Sequence, residues 1–158
     1  KMFFDSGASS TDTLVRASTS QDNITASGIS VACEVLIKLS RILNDKRYEK
    51  IVENQLISSS TEITKFPAAH CNWAKLLGEN SYNEQLVLAG TDLSEFITIS
   101  NSSYKPNLVF GFNYDSNKYF INENKSILKN TTTAYICKNY SCKEPITDSK
   151  KIFQALHN

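Results

Sequence analysis

No apolar run in this chain approaches the ~20 residues of a membrane-spanning helix, so no membrane partner is expected. Charge of one sign is not in excess either. Seventeen Lys and Arg face sixteen Asp and Glu, a formal net charge of +1 at pH 7. Duplex binding needs a basic footprint that neutralises phosphates, so no nucleic acid is expected as a partner. Cysteines number four, at Cys33, Cys71, Cys137 and Cys142. That is few for a disulfide-held scaffold of this length. Phosphate-cradling signatures are missing too. Neither G-x-G-x-x-G nor G-K-[ST] occurs, and no cofactor is expected. Lys1 to Phe4 is followed at once by Asp5 and small polar residues, which is not a secretory leader. A cytoplasmic location is expected. With Lys1 in place of an initiator Met, the chain is expected to be cut from a longer protein.

What is present suffices for a core, since 41% of residues are hydrophobic. Five Asn-x-Ser/Thr sequons occur, at Asn23, Asn101, Asn124, Asn130 and Asn139. In a chain this rich in Asn, Ser and Thr they read as chance matches. Residues 1 to 26 read as an irregular lead-in anchored by Phe3 and Phe4. Ser27 then suits the N-cap of a helix. Ile29, Ala32, Leu36, Leu39 and Leu43 recur at helical spacing. Val31, Val35, Ile37 and Ile42 spread apolar surface around that helix, which belongs inside a larger helical assembly. Self-association of the chain is therefore expected. Asp45 caps a second helix carrying Tyr48, Ile51, Val52 and Leu56, with a loop expected over Ser58 to Thr61. Pro67 opens a third, with Trp73, Leu76 and Leu77 apolar and Gly78 as its stop.

Past residue 79 the period changes. Gln85 to Gly90, Asn107 to Phe112 and Thr133 to Lys138 read as buried strands. Helices are expected after Asp92, around Ile127 and Leu128, and after Asp148, the last with Ile152, Phe153 and Leu156 inward. Alternation of strand and helix implies an α/β fold with a small three-stranded parallel sheet. The expected organisation is residues 1–79 as C-terminal helices of an α/α array and 80–158 as a small α/β module.

The chemical candidates are few. Cys137 ends a strand, and a short polar loop delivers Cys142 five residues on. A structural role, a reversible disulfide, a metal half-site and inert thiols are all open at this spacing. A zinc site would need two further ligands, and Cys71, His70 and His157 stand at no recognisable ligand spacing. His70, near a helix start, has the chemistry of an acid, base or sugar ligand, and Trp73 one turn on could stack on a sugar ring. The plainer alternative is a packed His beside a core Trp. Asp5, Asp12, Asp22 and Asn23 suit loops as pocket-lining residues or turn formers. Gly90-Thr91-Asp92 lies where open α/β sheets bind ligands, yet Asp92 would repel phosphate.

The order of landmarks resembles one family throughout. Asp22-Asn23-Ile24-Thr25-Ala26-Ser27-Gly28-Ile29-Ser30-Val31-Ala32 is similar to its D-G-A-T-P-S-G-N-S-V-A. Leu86-Val87-Leu88-Ala89-Gly90 is similar to its V-V-I-V-G, and Pro106-Asn107-Leu108-Val109 to its P-N-K-V. Thr133-Ala134-Tyr135-Ile136-Cys137-Lys138-Asn139-Tyr140-Ser141-Cys142-Lys143-Glu144-Pro145-Ile146-Thr147-Asp148 is similar to its T-A-Y-V-C-x-N-F-T-C-x-x-P-V-T-D. The chain thus resembles the C-terminal portion of the long thioredoxin-domain-containing proteins related to spermatogenesis-associated protein 20. The resemblance implies a parent with an N-terminal thioredoxin-like domain and an epimerase-like (α/α)6-type toroid, of which residues 1–79 are the last helices. Those absent regions would be the partners of this chain. Alone it is expected to be non-catalytic. A carbohydrate-active parent or a redox role for Cys137 and Cys142 are the alternatives. The resemblance carries over no catalytic residue.

Overall fold

The computed structural model describes residues 3–81, 83–102, 104–114, 119–139 and 141–157. The chain divides into two compact units. One comprises residues 1–40 and 45–81, the other residues 41–44 and 82–158.

The first unit is helical. α1 (Gly28–Leu43), α2 (Lys46–Lys65) and α3 (Cys71–Ser81) follow in order, with a 3-10 turn at Pro67–Ala69 before α3. Ser27 caps α1 as its sequence suggests, its hydroxyl accepting from the Ser30 amide at 3.2 Å. Asn44 turns the chain with φ 53°, a conformation Asn tolerates, and Asp45 then caps α2 by accepting from the Arg47 amide. Ile29, Cys33 and Ile37 of α1 pack with Val52, Leu56 and Ile63 of α2 and with Trp73 and Leu76 of α3. Burying a Leu such as Leu76 completely is worth about 2 kcal/mol. Val31 and Val35, on the opposite side of α1, stay exposed.

Three expectations for this unit need correction. Ser58 to Thr61 is not a loop, because α2 runs through it without a break. The hydroxyls of Ser58, Ser60 and Thr64 bond back to carbonyls one turn earlier on the exposed face, while Ser59 and Ile63 continue the buried stripe. Gly78 does not stop α3, which continues to Ser81. Cys71, whose plainest reading, like that of Cys33, is a small buried apolar residue, is exposed, while Cys33 is buried.

The second unit is α/β. β1 (Glu84–Ala89), α4 (Ser94–Ser100), β2 (Leu108–Asn113), β3 (Thr133–Lys138), β4 (Ser141–Cys142) and α5 (Lys150–His157) give a four-stranded sheet in the order β2-β1-β3-β4. β1 is the apolar centre, buried from Gln85 to Ala89. It pairs in parallel with β2, Glu84 opposite Leu108 and Ala89 opposite Asn113. The expected all-parallel sheet of three strands is corrected here, since β3 runs antiparallel to β1 and β4 antiparallel to β3. A parallel return needs a crossover of a dozen or more residues, usually a helix. No helix forms around Ile127 and Leu128. Instead Leu128 bridges Thr131 across a tight turn, with Lys129 at φ 49° and Asn130 at φ 58°. A 3-10 turn at Phe120–Asn122 precedes it. The chain therefore enters β3 at the end where β1 finishes, Thr133 opposite Ala89, and runs back.

Leu86, Leu88, Ala134 and Ile136 face α4 and α5, meeting Phe96, Ile152 and Leu156. Phe153, expected inward, is exposed. The opposite sheet face carries Val87, Val109, Tyr135 and Cys137 and is covered by Ile121 of the 3-10 turn, with Ile42 packed against it. Asp148 caps α5 as expected, accepting from the Lys150 amide at 3.1 Å.

Candidate functional site

β3 is buried from Thr133 to Cys137 because both of its faces are covered. At Asn139, with φ 49°, the chain turns back, and Cys142 lands directly opposite Cys137. The two sulfurs are bonded, closing a link between residues five apart in sequence. The two ends differ in access. Cys137 is 2% exposed, whereas Cys142 sits on the exposed strand β4.

The disulfide lines an open cleft of about 350 Å³. Phe120, Tyr135 and Pro145 supply its apolar walls, and Glu123, Lys125 and Lys143 also border it. Tyr135 is fixed by its hydroxyl, which donates to the Ser126 carbonyl at 2.7 Å. Lys143 is held at both ends. Its amide donates to the Ile136 carbonyl, and its ammonium donates to the Ala155 carbonyl at 3.1 Å. Burial of the Lys125 ammonium lowers its pKa from the ordinary 10.5, against the opposing pull of Glu123.

This arrangement has a definite chemistry. Exchange proceeds when a thiolate attacks one sulfur of a disulfide and the other departs as a thiolate. Cys142 is the accessible sulfur. Attack there would break the bond with Cys137 leaving as the thiolate.

The other candidate residues lie in the helical unit, and most are engaged. Asp22 is buried, with its carboxylate accepting from the Ser27 amide at 2.8 Å, the Asn72 amide at 2.9 Å and the Ser30 hydroxyl at 3.1 Å. Burial would raise its pKa, but hydrogen bonds from the Ser27 and Asn72 amides and the Ser30 and Ser27 hydroxyls prevail and hold it below 3.8. Asp22 joins two helix starts. Asn23 is exposed, and its amide donates to the Thr25 carbonyl. Asp5 accepts from the amide and hydroxyl of Thr19. Trp73 is wholly buried and its indole N–H donates to the Ser20 carbonyl at 2.6 Å, so no ring face is open for stacking.

His70 is the exception. It is 3% exposed, and its Nδ1 donates to the Phe66 carbonyl at 2.9 Å. Its Nε2 is buried and has no partner among the described residues. With Ser18 to Gln21 and Glu62 it borders a polar cleft of about 390 Å³. Asp92 binds the amide and hydroxyl of Ser94 at the start of α4. Among the described residues no group of three or more His, Cys, Asp or Glu side chains is placed to hold a metal ion. No described helix is long and apolar enough to cross a membrane.

Sequence reasoning found the cysteine pair but missed the cleft around it. The one available signal was Lys143, adjacent to Cys142. Phe120 and Lys125 come from the connection between β2 and β3, where only a short helix around Ile127 and Leu128 is expected from sequence, so nothing placed them near the sulfurs. No family model, curated protein or solved structure matches the chain.

Proposed function

We propose that this chain is the C-terminal portion of a thioredoxin/epimerase-like protein and that its own chemistry is reversible thiol–disulfide exchange at Cys137 and Cys142. One observation carries the redox reading: the pair is bonded within an open cleft, with one cysteine buried and the other exposed. In a cytoplasmic protein a disulfide is ordinarily transient, either catalytic or redox-sensing. The absent thioredoxin-like domain is the proposed partner in exchange. The exposed Val31 and Val35 of α1 support a chain that packs against further helices in its parent.

Thiol titration at controlled potential tests the redox reading. The pair is expected to equilibrate between the glutathione poise and the thioredoxin potential, roughly −200 to −270 mV. A pair that stays oxidised below about −300 mV is a structural disulfide, and that result ends the redox reading.

A second reading, carbohydrate binding, is favoured by one feature, the unpartnered Nε2 of His70 beside a polar cleft. It predicts that a monosaccharide protects the helical unit against thermal unfolding and that His70→Ala removes the protection. Absence of protection at high sugar concentration ends it.

A further inference from the structure

The disulfide cleft also holds an amine that thiol exchange does not use. Lys125 borders the cleft, and its main chain is pinned through both polar groups. Its amide donates to the Asn122 carbonyl at 3.2 Å, and its carbonyl accepts from the Asn113 side-chain amide at 2.6 Å. Ser126, the next residue, is held by the Tyr135 hydroxyl. The root of the side chain is thus fixed at the cleft wall, while its tip is weakly engaged. Among the described residues the Lys125 ammonium makes one hydrogen bond, to the Glu123 carbonyl at 3.4 Å, longer than an ordinary N–H···O bond. Lys143 differs, because its ammonium is tied to the Ala155 carbonyl.

Lys125 is half-buried, and desolvation disfavours its charged form. That burial lowers its pKa, against the opposing pull of Glu123, so more of the amine is neutral at a given pH than for an exposed lysine. A neutral, partly desolvated lysine amine is a nucleophile toward carbonyl carbon. The space beside it measures about 350 Å³, at the small end of the ~300–1,000 Å³ typical of small-molecule sites. Phe120, Tyr135 and Pro145 give that space apolar walls.

We infer that this cleft is a covalent binding site for a small aldehyde with an uncharged apolar body, and that the amine of Lys125 captures it. The inference goes beyond the redox reading and does not depend on it. The nitrogen lone pair attacks the carbonyl carbon, a C–N bond forms, and the C=O π pair moves onto oxygen. A proton passes from nitrogen to that oxygen, giving a carbinolamine. The hydroxyl then departs with its bonding pair, the second proton leaves nitrogen, and the two depart as water. One aldehyde and one amine become one imine and one water, with nothing oxidised or reduced, and hydrolysis reverses the step. Phe120 and Pro145 offer contact to the apolar body. With the amine consumed, the Glu123 carboxylate disfavours an aldehyde that carries a carboxylate of its own.

The test treats the native, oxidised chain with benzaldehyde and cyanoborohydride at neutral pH, which fixes each imine as a secondary amine. Peptide mass mapping then follows every lysine, so the lysines of one chain serve as controls for each other. Lys125 is expected to be labelled several-fold faster than the exposed Lys46 and Lys151. Its rate is expected to saturate with benzaldehyde concentration, while theirs rise in proportion. Formaldehyde has no apolar body, so the preference for Lys125 is expected to fall with that probe, and Phe120→Ala is expected to lower the benzaldehyde preference. Lys125→Met keeps the main-chain anchors and is expected to abolish the saturable labelling. Equal native labelling of Lys125 and the exposed lysines overturns the proposal. A preference just as large with formaldehyde shows a reactive amine without a binding cleft, and overturns it too. Saturable labelling that persists in Lys125→Met overturns the assignment to Lys125. Exchange at Cys137 and Cys142 is read separately, by the thiol titration, and stands or falls on that.

Discussion

Asp22 and Asn72 are fifty residues apart in sequence, yet Oδ2 of Asp22 accepts the Asn72 amide at 2.9 Å. Its other oxygen accepts the Ser27 amide at 2.8 Å. One carboxylate thus satisfies free N–H groups at the starts of α1 and α3. Replacement by Ala removes two caps and leaves buried donors without acceptors, so Asp22→Ala is expected to destabilise the helical unit by about 2–3 kcal/mol. Trp73 is the sole tryptophan and lies within this unit, so its fluorescence reports the unfolding. The folded pKa of Asp22 lies below 3.8, so its contribution is complete above that value and is lost as pH falls through the folded value. The gap between wild type and Asp22→Ala is therefore expected to narrow on acidification below 3.8. A gap that stays constant there would sink the carboxylate account.

A second tie in this unit is ionic. Glu34 of α1 meets Lys38 at 2.8 Å through one oxygen and Lys75 of α3 at 2.7 Å through the other. Lys38 and then Lys75 hold its pKa below 4.5. Both lysines are substantially exposed, so solvent screening limits the gain. A double-mutant cycle of Glu34→Gln and Lys75→Met is expected to give a coupling of about 0.5–1 kcal/mol that weakens with salt. Zero coupling at low salt would mean that the contact adds nothing to the packing of α1 on α3.

The two unbonded cysteines are expected to separate cleanly by reactivity. Cys33 lies in the helical core, where burial pushes its thiol up to about 11. Cys71 is exposed. Only a thiolate reacts with iodoacetamide, so native labelling followed by peptide mass mapping is expected to find Cys71 modified and Cys33 intact until denaturant is added. Rapid native modification of Cys33 would show that the helical core opens far more readily than its packing implies.

The elements themselves were legible because each carries its period openly. Thr133 to Lys138 was delimited from sequence alone, and the cap residues Ser27, Asp45 and Asp148 were each identified in advance. The direction of β3 was not legible. A strand reads alike in both directions, and the deciding fact lay in the connection, where Lys129 and Asn130 take left-handed backbone conformations in place of a helix. The role of Asp22 was hidden for a different reason, since its partners at Ser27 and Asn72 meet it only after the unit has folded. The cysteine pair was visible as a spacing. That the pair is bonded depends on β4, two residues long and too short to leave a pattern.

Two glycines are expected to respond in opposite ways to a single methyl group. A Cβ on Gly111 of β2 would lie 2.8 Å from Oδ1 of Asn122 and 3.0 Å from Cγ2 of Val87. Asn122 cannot easily retreat, because its amide donates to the Phe112 carbonyl at 3.0 Å. Gly111→Ala is therefore expected to cost about 1–3 kcal/mol through overpacking. Gly78 lies within α3 with nothing within 4 Å of a built Cβ. Gly78→Ala is expected to stabilise by about 0.5–1 kcal/mol through helix propensity. Chemical denaturation of both variants checks the pair, and a neutral Gly111→Ala would contradict the close packing of the 3-10 turn on the sheet.

Reduction of the Cys137–Cys142 bond is expected to loosen one corner of the sheet and spare the rest. The chain-entropy argument for so short a link gives about 2 kcal/mol of stabilisation. The segment following β4 has other attachments. The Lys143 amide donates to the Ile136 carbonyl, and Ala134 and Ile146 exchange amide hydrogen bonds at 2.8 and 2.9 Å. β1 lies at the sheet centre between β2 and β3, held along its length by both, with Gln85 opposite Cys137 and Leu86, Val87 and Leu88 opposite Ile136, Tyr135 and Ala134. Hydrogen exchange on the reduced chain is therefore expected to lose protection at Asn139, whose amide donates to the Asn83 carbonyl, and around Ser141 to Lys143. Leu86 to Leu88 are expected to remain protected. Such a local response lets the cysteine pair cycle between bonded and free states without unfolding the unit, as repeated exchange requires. If reduction strips protection from Leu86 to Leu88 as well, the bond is a structural staple and cannot serve as a working redox pair.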